Sequence, residues 1–109
     1  MDHRLLQAER RSALAHELEH VHRGPFPRHA RAKEEAAVNA AAARKLIDLH
    51  ALGEALAWAR HESEAAEELW VDVPTLRARL AHLHPAELRY LRGRLAHHDA
   101  EEDRHGPHP

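Results

Sequence analysis

The chain has 109 residues, 43% hydrophobic but only 4% aromatic, which points to one small domain whose core is built from alanine and aliphatic side chains. With 16 Lys/Arg against 18 Asp/Glu, the formal charge of −2 excludes a globally basic nucleic-acid binder and an acidic interaction tail. There is no cysteine, so disulfide staples and thiolate metal sites are excluded, and any metal must be held by histidine and carboxylate. The start, "MDHRLLQAERR", lacks the apolar core of a signal peptide, and no apolar run is long enough to span a bilayer; a cytoplasmic protein without a membrane partner is expected.

Alanine, leucine, glutamate and arginine favour helix throughout. The first helix is expected from Leu5 to His22, stopped by the glycine and prolines of "RGPFPRH", with Leu14, Leu18 and Val21 forming an apolar stripe at i, i+4, i+7 that should face the core. A second helix is expected from Ala30, presenting Val38, Ala42, Leu46 and Leu49 on one face. Asp48 is a candidate cap for "ALGEALAWAR", and Ser63 for "EAAEELW". After "VDVP" comes "TLRARLAHL". Pro85 then opens "AELRYLRGRLAHHDAEE" at a first helical position, with Glu87 two residues on. "LRARLAH" and "LRGRLAH" are similar amphipathic turns rather than a solenoid repeat. Trp58, Trp70 and Tyr90 are expected to be packing residues. The tail 105–109 is expected to be disordered, and His97, His98, His105 and His108 could hold a metal loosely.

Within the first helix stands "HELEH". In a chain with 13 histidines, about 0.2 matches to so degenerate a pattern arise by chance, so the pentapeptide alone decides little. Geometry adds weight. Residues four apart share a helix face, so His16 and His20 can offer two imidazoles to one ion, on a face expected to lie away from the Leu14/Leu18/Val21 stripe. Glu17 sits beside the pair, where a general base acting on metal-activated water would stand. A zinc enzyme needs a third protein ligand and an open fourth position. "RAKEEAAVNAAAARKLI" offers Glu34 and Glu35 near the edge of the second helix's apolar stripe, and spacing does not choose between them.

Taken together, "QAERRSALAHELEHVHRGPF" and "EEAAVNAAAARKLI" resemble the ImmA/IrrE family of zinc metallopeptidases, over roughly residues 3–48. The resemblance implies Zn2+ held by His16, His20 and Glu35, with Glu34 the reserve ligand, and Glu17 as the catalytic base of a peptide-bond hydrolase. It also implies a protein substrate, such as a transcriptional repressor encoded on a phage or integrated element. This chain has "VN" where the family often has "AN", and only "MDHRL" stands where family members carry short strands. The expected fold is therefore mostly α with little or no sheet. One domain would span 1–104, with the zinc-site helices in 1–60 and a C-terminal helical segment in 62–104. His22 lies outside the motif and reads as a surface or cleft-rim residue.

That C-terminal segment supports a rival reading. "AEELWVDVPTLRARLAHL" resembles a helix-turn-helix, with Ala66 and Leu69 on the first helix, Val71 in the turn, and Arg77 and Arg79 facing nucleic acid. The alternative is a plain helical hairpin in which Leu69, Trp70, Val71, Leu76 and Leu80 cover the core. With no net basic charge, the hairpin is the stronger expectation.

Overall fold

The computed structural model describes residues 3–25 and 28–104; the expected tail at 105–109, with His105 and His108, lies outside them. Among the described residues there are six α-helices and no strand: α1 (His3–Arg23), α2 (Arg31–Leu46), α3 (Leu49–Trp58), α4 (Glu62–Glu68), α5 (Val73–Ala81) and α6 (Pro85–Arg104), with a 3-10 turn at Arg28–Ala30 before α2. The mostly helical class read from composition is the class observed.

Local chemistry explains most of the boundaries. Gly24 follows α1 in the left-handed region (φ 81°) and its N–H bonds to the His20 carbonyl, so the glycine ends the helix as a residue with a Cβ would do only under strain. Asp48 caps α3, accepting from the Ala51 N–H at 2.8 Å. Asp72 caps α5 in the same way through Thr75. Pro85 opens α6, and Glu87 reaches back to the His84 N–H at 3.0 Å, one half of a capping box. Ser63 does not cap α4. The cap position is His61, without a side-chain bond, and Ser63 lies inside the helix. The second helix stops at Leu46 because Asp48 starts a new one, so Leu49 belongs to α3.

Between α4 and α5 the chain turns through Trp70, which takes φ 59° although it is not glycine. The Val71 N–H bonds to the Ala66 carbonyl and the Trp70 N–H to the Glu67 carbonyl, the crossed pair of a Schellman turn. Val71, the residue after the left-handed position, is 1% exposed and supplies that turn's apolar contact. Its burial sustains a conformation that a bulky residue adopts at a cost on the order of 1–2 kcal/mol.

The core is formed by Ile47, Leu52, Ala55, Ala65, Ala66, Val71, Leu76 and Leu91, where α3 to α6 meet the end of α2. α1 packs along α2, and α2 packs on α5. Arg23 pairs with Glu34 near one end of the α1–α2 contact, and Arg11 reaches Leu46 near the other, so the two helices run antiparallel. The buried residues of the two helices are mostly small, with Ala8 and Ser12 on α1 and Val38, Ala42 and Ala43 on α2.

The expected apolar stripe of α1 is overturned. Leu14, Leu18 and Val21 are 60%, 58% and 80% exposed, and the helix buries its opposite face, including Ala8, Ser12 and Glu19. Three features favour that face: its small residues admit close approach to an alanine-rich partner, Glu19 finds Lys45 at 2.7 Å, and Arg11 donates to the carbonyls of Leu46, Leu69 and Trp70 near the ends of α2 and α4. A polar group with a partner can be buried, which a count of apolar positions does not register. Trp58, Trp70 and Tyr90 are likewise corrected: all three are exposed, with Trp58 edge-on to His98, Trp70 beneath Arg4, and the Tyr90 hydroxyl accepting from Arg94.

A buried ion network closes the far side. Arg79 is 3% exposed and donates to Glu87 and to the Ile47 carbonyl, and Arg44 joins Glu87 from α2. The bonds from Arg79, Arg44 and the His84 N–H hold the Glu87 carboxyl far below the usual carboxylate range. A depressed carboxyl stabilises the fold fully above its unfolded value, near 4.3, and that contribution fades as pH falls toward the folded value. Urea unfolding should therefore show stability declining below about pH 4.3, with a shallower decline in Glu87→Gln. Arg79→Met should cost about 3 kcal/mol at pH 7, because the buried carboxylate loses a partner.

Candidate metal centre

His16 and His20 stand one turn apart on α1, on the flank that turns toward α2 rather than away from the protein. The Nε2 atoms of the two rings are 3.1 Å apart. The Glu35 carboxylate, from the first two turns of α2, meets both: Oε2 is 3.3 Å from His16 Nε2, and Oε1 is 3.0 Å from His20 Nε2. The rings lie edge to face with centroids 4.7 Å apart. Among the described residues, His16, His20 and Glu35 are the group of histidine and carboxylate side chains whose ligand atoms could hold a metal ion.

The donor set fits a cation on chemical grounds. Two imidazole nitrogens lie 3.1 Å apart, each within 3.3 Å of a different oxygen of one carboxylate, but a neutral imidazole carries a single ring proton. If both Nε2 atoms donate to Glu35, nothing is left to hold the two nitrogens at 3.1 Å. A cation bound by all three satisfies them together. Tetrahedral ligands about 2.0–2.1 Å from a zinc ion lie roughly 3.3 Å from one another, and here one ligand atom from each residue lies within 4.8 Å of the others. The side chains of His16, His20 and Glu35 remain 29%, 25% and 38% exposed, which leaves an open side for water or substrate.

The neighbouring carboxylates are already engaged. Glu34, the reserve ligand, accepts from Arg23 Nε at 2.7 Å, and that bond holds its carboxyl below the usual range. Glu19 is buried and paired with Lys45, whose hydrogen bond lowers its carboxyl in the same way. Glu35 is the carboxylate turned to the histidines. Glu17 is exposed on α1, one residue after His16, and is not among the converging atoms. His22 is exposed at the surface.

Beside the triad lies a cleft of about 200 Å³, with polar lining from Ser12, His16, Asn39, Asp72 and Thr75. Apart from His16, sequence reading did not select these residues as functional. Ser12 is one turn before His16 and Asn39 one turn after Glu35, so helical spacing could have flagged them. Asp72 and Thr75 come from α5, whose docking against α1 and α2 is a tertiary event. The Ser12 hydroxyl helps to position α5 by accepting from the Asp72 N–H at 3.2 Å.

The arginines of the rival helix-turn-helix reading are placed elsewhere. Arg79 is buried on Glu87, and Arg77 pairs with Glu62 on α4. No described helix is long and apolar enough to cross a membrane. Compared with known proteins, the chain matches no family model, no curated protein and no solved structure.

Titration with Zn2+ or Co2+, followed calorimetrically or by Co2+ absorption, should give one ion per chain. His16→Ala and Glu35→Ala should each weaken binding by more than about 100-fold, the upper loss seen when only an outer partner of a ligand is removed. Glu34→Gln and Glu17→Gln should keep it. Wild-type binding at about 100 times the dissociation constant should add about 2.7 kcal/mol to unfolding stability.

Proposed function

We propose that this protein is a zinc metallopeptidase of the ImmA/IrrE type, hydrolysing peptide bonds in a cytoplasmic protein substrate such as a transcriptional repressor. The observation that carries the reading is the meeting of His16, His20 and Glu35 at ligand spacing, on the two helices whose sequences resemble that family. Two imidazoles and a carboxylate are a ligand set used by catalytic zinc, and the open flank leaves the position that catalysis requires. The surroundings contribute as well: Glu34 and Glu19 are paired with Arg23 and Lys45, and Glu35 is the carboxylate turned to the two imidazoles.

When bound, zinc would supply Lewis-acid charge and a water of lowered pKa. The chain's own residues do the rest. His16 and His20, fixed one turn apart on α1, set two directions of the site, and Glu35 sets the third from α2. Glu17 takes the proton from the attacking water and returns it to the departing amine as the peptide C–N bond breaks. As a base and not a ligand, it belongs on the exposed edge of the site where substrate arrives.

The test uses zinc-loaded protein and a mixture of random-sequence peptides, with cleavage products read by mass spectrometry. Glu17→Gln should keep its zinc and lose at least about 100-fold in kcat/KM, the lower end of what general acid–base catalysis contributes. His16→Ala should lose both zinc and cleavage. Stoichiometric zinc with no cleavage, or cleavage indifferent to Glu17→Gln, would overturn the proposal.

A further inference from the structure

The cleft beside the triad has a direction. α1 and α2 are antiparallel, so stepping from His16 back to Ser12 and from Glu35 on to Asn39 moves the same way along the pair, one turn or about 6 Å from the metal position. There α5 closes the cleft with its N-terminal residues, and Asp72 contributes the carboxylate. Asp72 Oδ1 accepts from both the Thr75 N–H and the Thr75 hydroxyl. Oδ2 has no protein donor among the described residues. Since no side-chain oxygen or nitrogen is both buried and unpartnered there, Oδ2 is open to solvent. The cleft is of mixed lining, and Ala13, Ala42, Pro74 and Ala78 supply its alkyl surface.

A cleft that combines alkyl surface with an open carboxylate oxygen, about one helical turn from the triad, matches a long side chain with methylenes in its stem and a cation at its tip. We propose that this cleft is the specificity site of the enzyme and receives a lysine or arginine side chain next to the scissile bond, with Asp72 Oδ2 accepting from its ammonium or guanidinium. Asn39, exposed at the mouth one turn from Glu35, is placed to hydrogen-bond the substrate backbone. The assignment rests on the peptidase reading for its meaning, but binding in the cleft needs neither metal nor turnover.

Asp72 also has a structural duty as the cap of α5, and the two roles separate cleanly. Asparagine caps helices about as well as aspartate, so Asp72→Asn keeps the Oδ1 bonds and removes only the charge. The probes are Nα-acetyl-lysine methylamide and its uncharged isostere Nα-acetyl-norleucine methylamide, titrated into 15N-labelled full-length protein. The lysine probe should shift the amides of Ser12, Asn39, Thr75 and Ala78 and bind about tenfold or more tightly than the norleucine probe. Asp72→Asn should erase that difference while leaving the thermal midpoint close to wild type. Ala78→Met, which narrows the cleft, should weaken the lysine probe as well. Equal binding of the two probes, no binding of either, or a preference that survives Asp72→Asn overturns the assignment. Cleavage scored on the random peptides keeps the two proposals apart. Zinc- and Glu17-dependent cleavage with no enrichment of lysine or arginine beside the cut bond overturns the cleft alone, whereas charge-dependent probe binding without any cleavage overturns the peptidase alone.

Discussion

The close antiparallel contact between α1 and α2 is the constraint from which the rest of the molecule follows. The small buried residues of the pair, Ala8 and Ser12 on α1 and Val38, Ala42 and Ala43 on α2, go with an approach close enough for a carboxylate on one helix to meet imidazoles on the other. Larger residues at those positions would hold the helices apart, and Glu35 would fall short of His16 and His20. The core clusters elsewhere, among α3 to α6 and the end of α2. The site therefore lies at a seam of small and polar residues, where an open face can persist without exposing the main apolar cluster.

Charge placement stabilises what alanine packing alone would leave loose. Arg11 gathers the carbonyls of Leu46, Leu69 and Trp70, tying the C-terminal ends of α2 and α4 to α1. Cationic donors at helix C-termini satisfy unpaired carbonyls and complement the helix dipole together. Arg79, Arg44 and Glu87 do the same for α2, α5 and α6 around the Ile47 and His82 carbonyls. Arg23, Lys45 and their glutamates take up the acidic groups nearest the triad, so the chain's balanced charge is local as well as global.

The reading of "LRARL" as a nucleic-acid-facing helix meets a buried Arg79 and an exposed, ion-paired Arg77. Arg77 and Arg79 have helix-turn-helix spacing, but α5 turns Arg79 inward onto Glu87, and Arg77 pairs with Glu62. Trp70 points the same way. It occupies a left-handed position that glycine usually takes, held there by the burial of its successor Val71.

Composition alone determined the helical class, and short-range rules determined the starts at Asp48 and Pro85, because caps and prolines act within one turn of the chain; the Asp72 cap of α5 emerged with the structure. The spacing of His16 and His20 was equally legible, since a helix places i and i+4 together whatever surrounds it. Which face of α1 turns inward was not legible. Leu14, Leu18 and Val21 outrank Ala8, Ser12 and Glu19 on any hydrophobic scale, yet the second set is buried because its partners sit on α2 and α5, far away in sequence. Spacing left Glu34 and Glu35 open while the resemblance favoured Glu35; the structure turns Glu35 to the imidazoles and pairs Glu34 with Arg23. The cleft beside the triad needed α5 to dock before it existed at all.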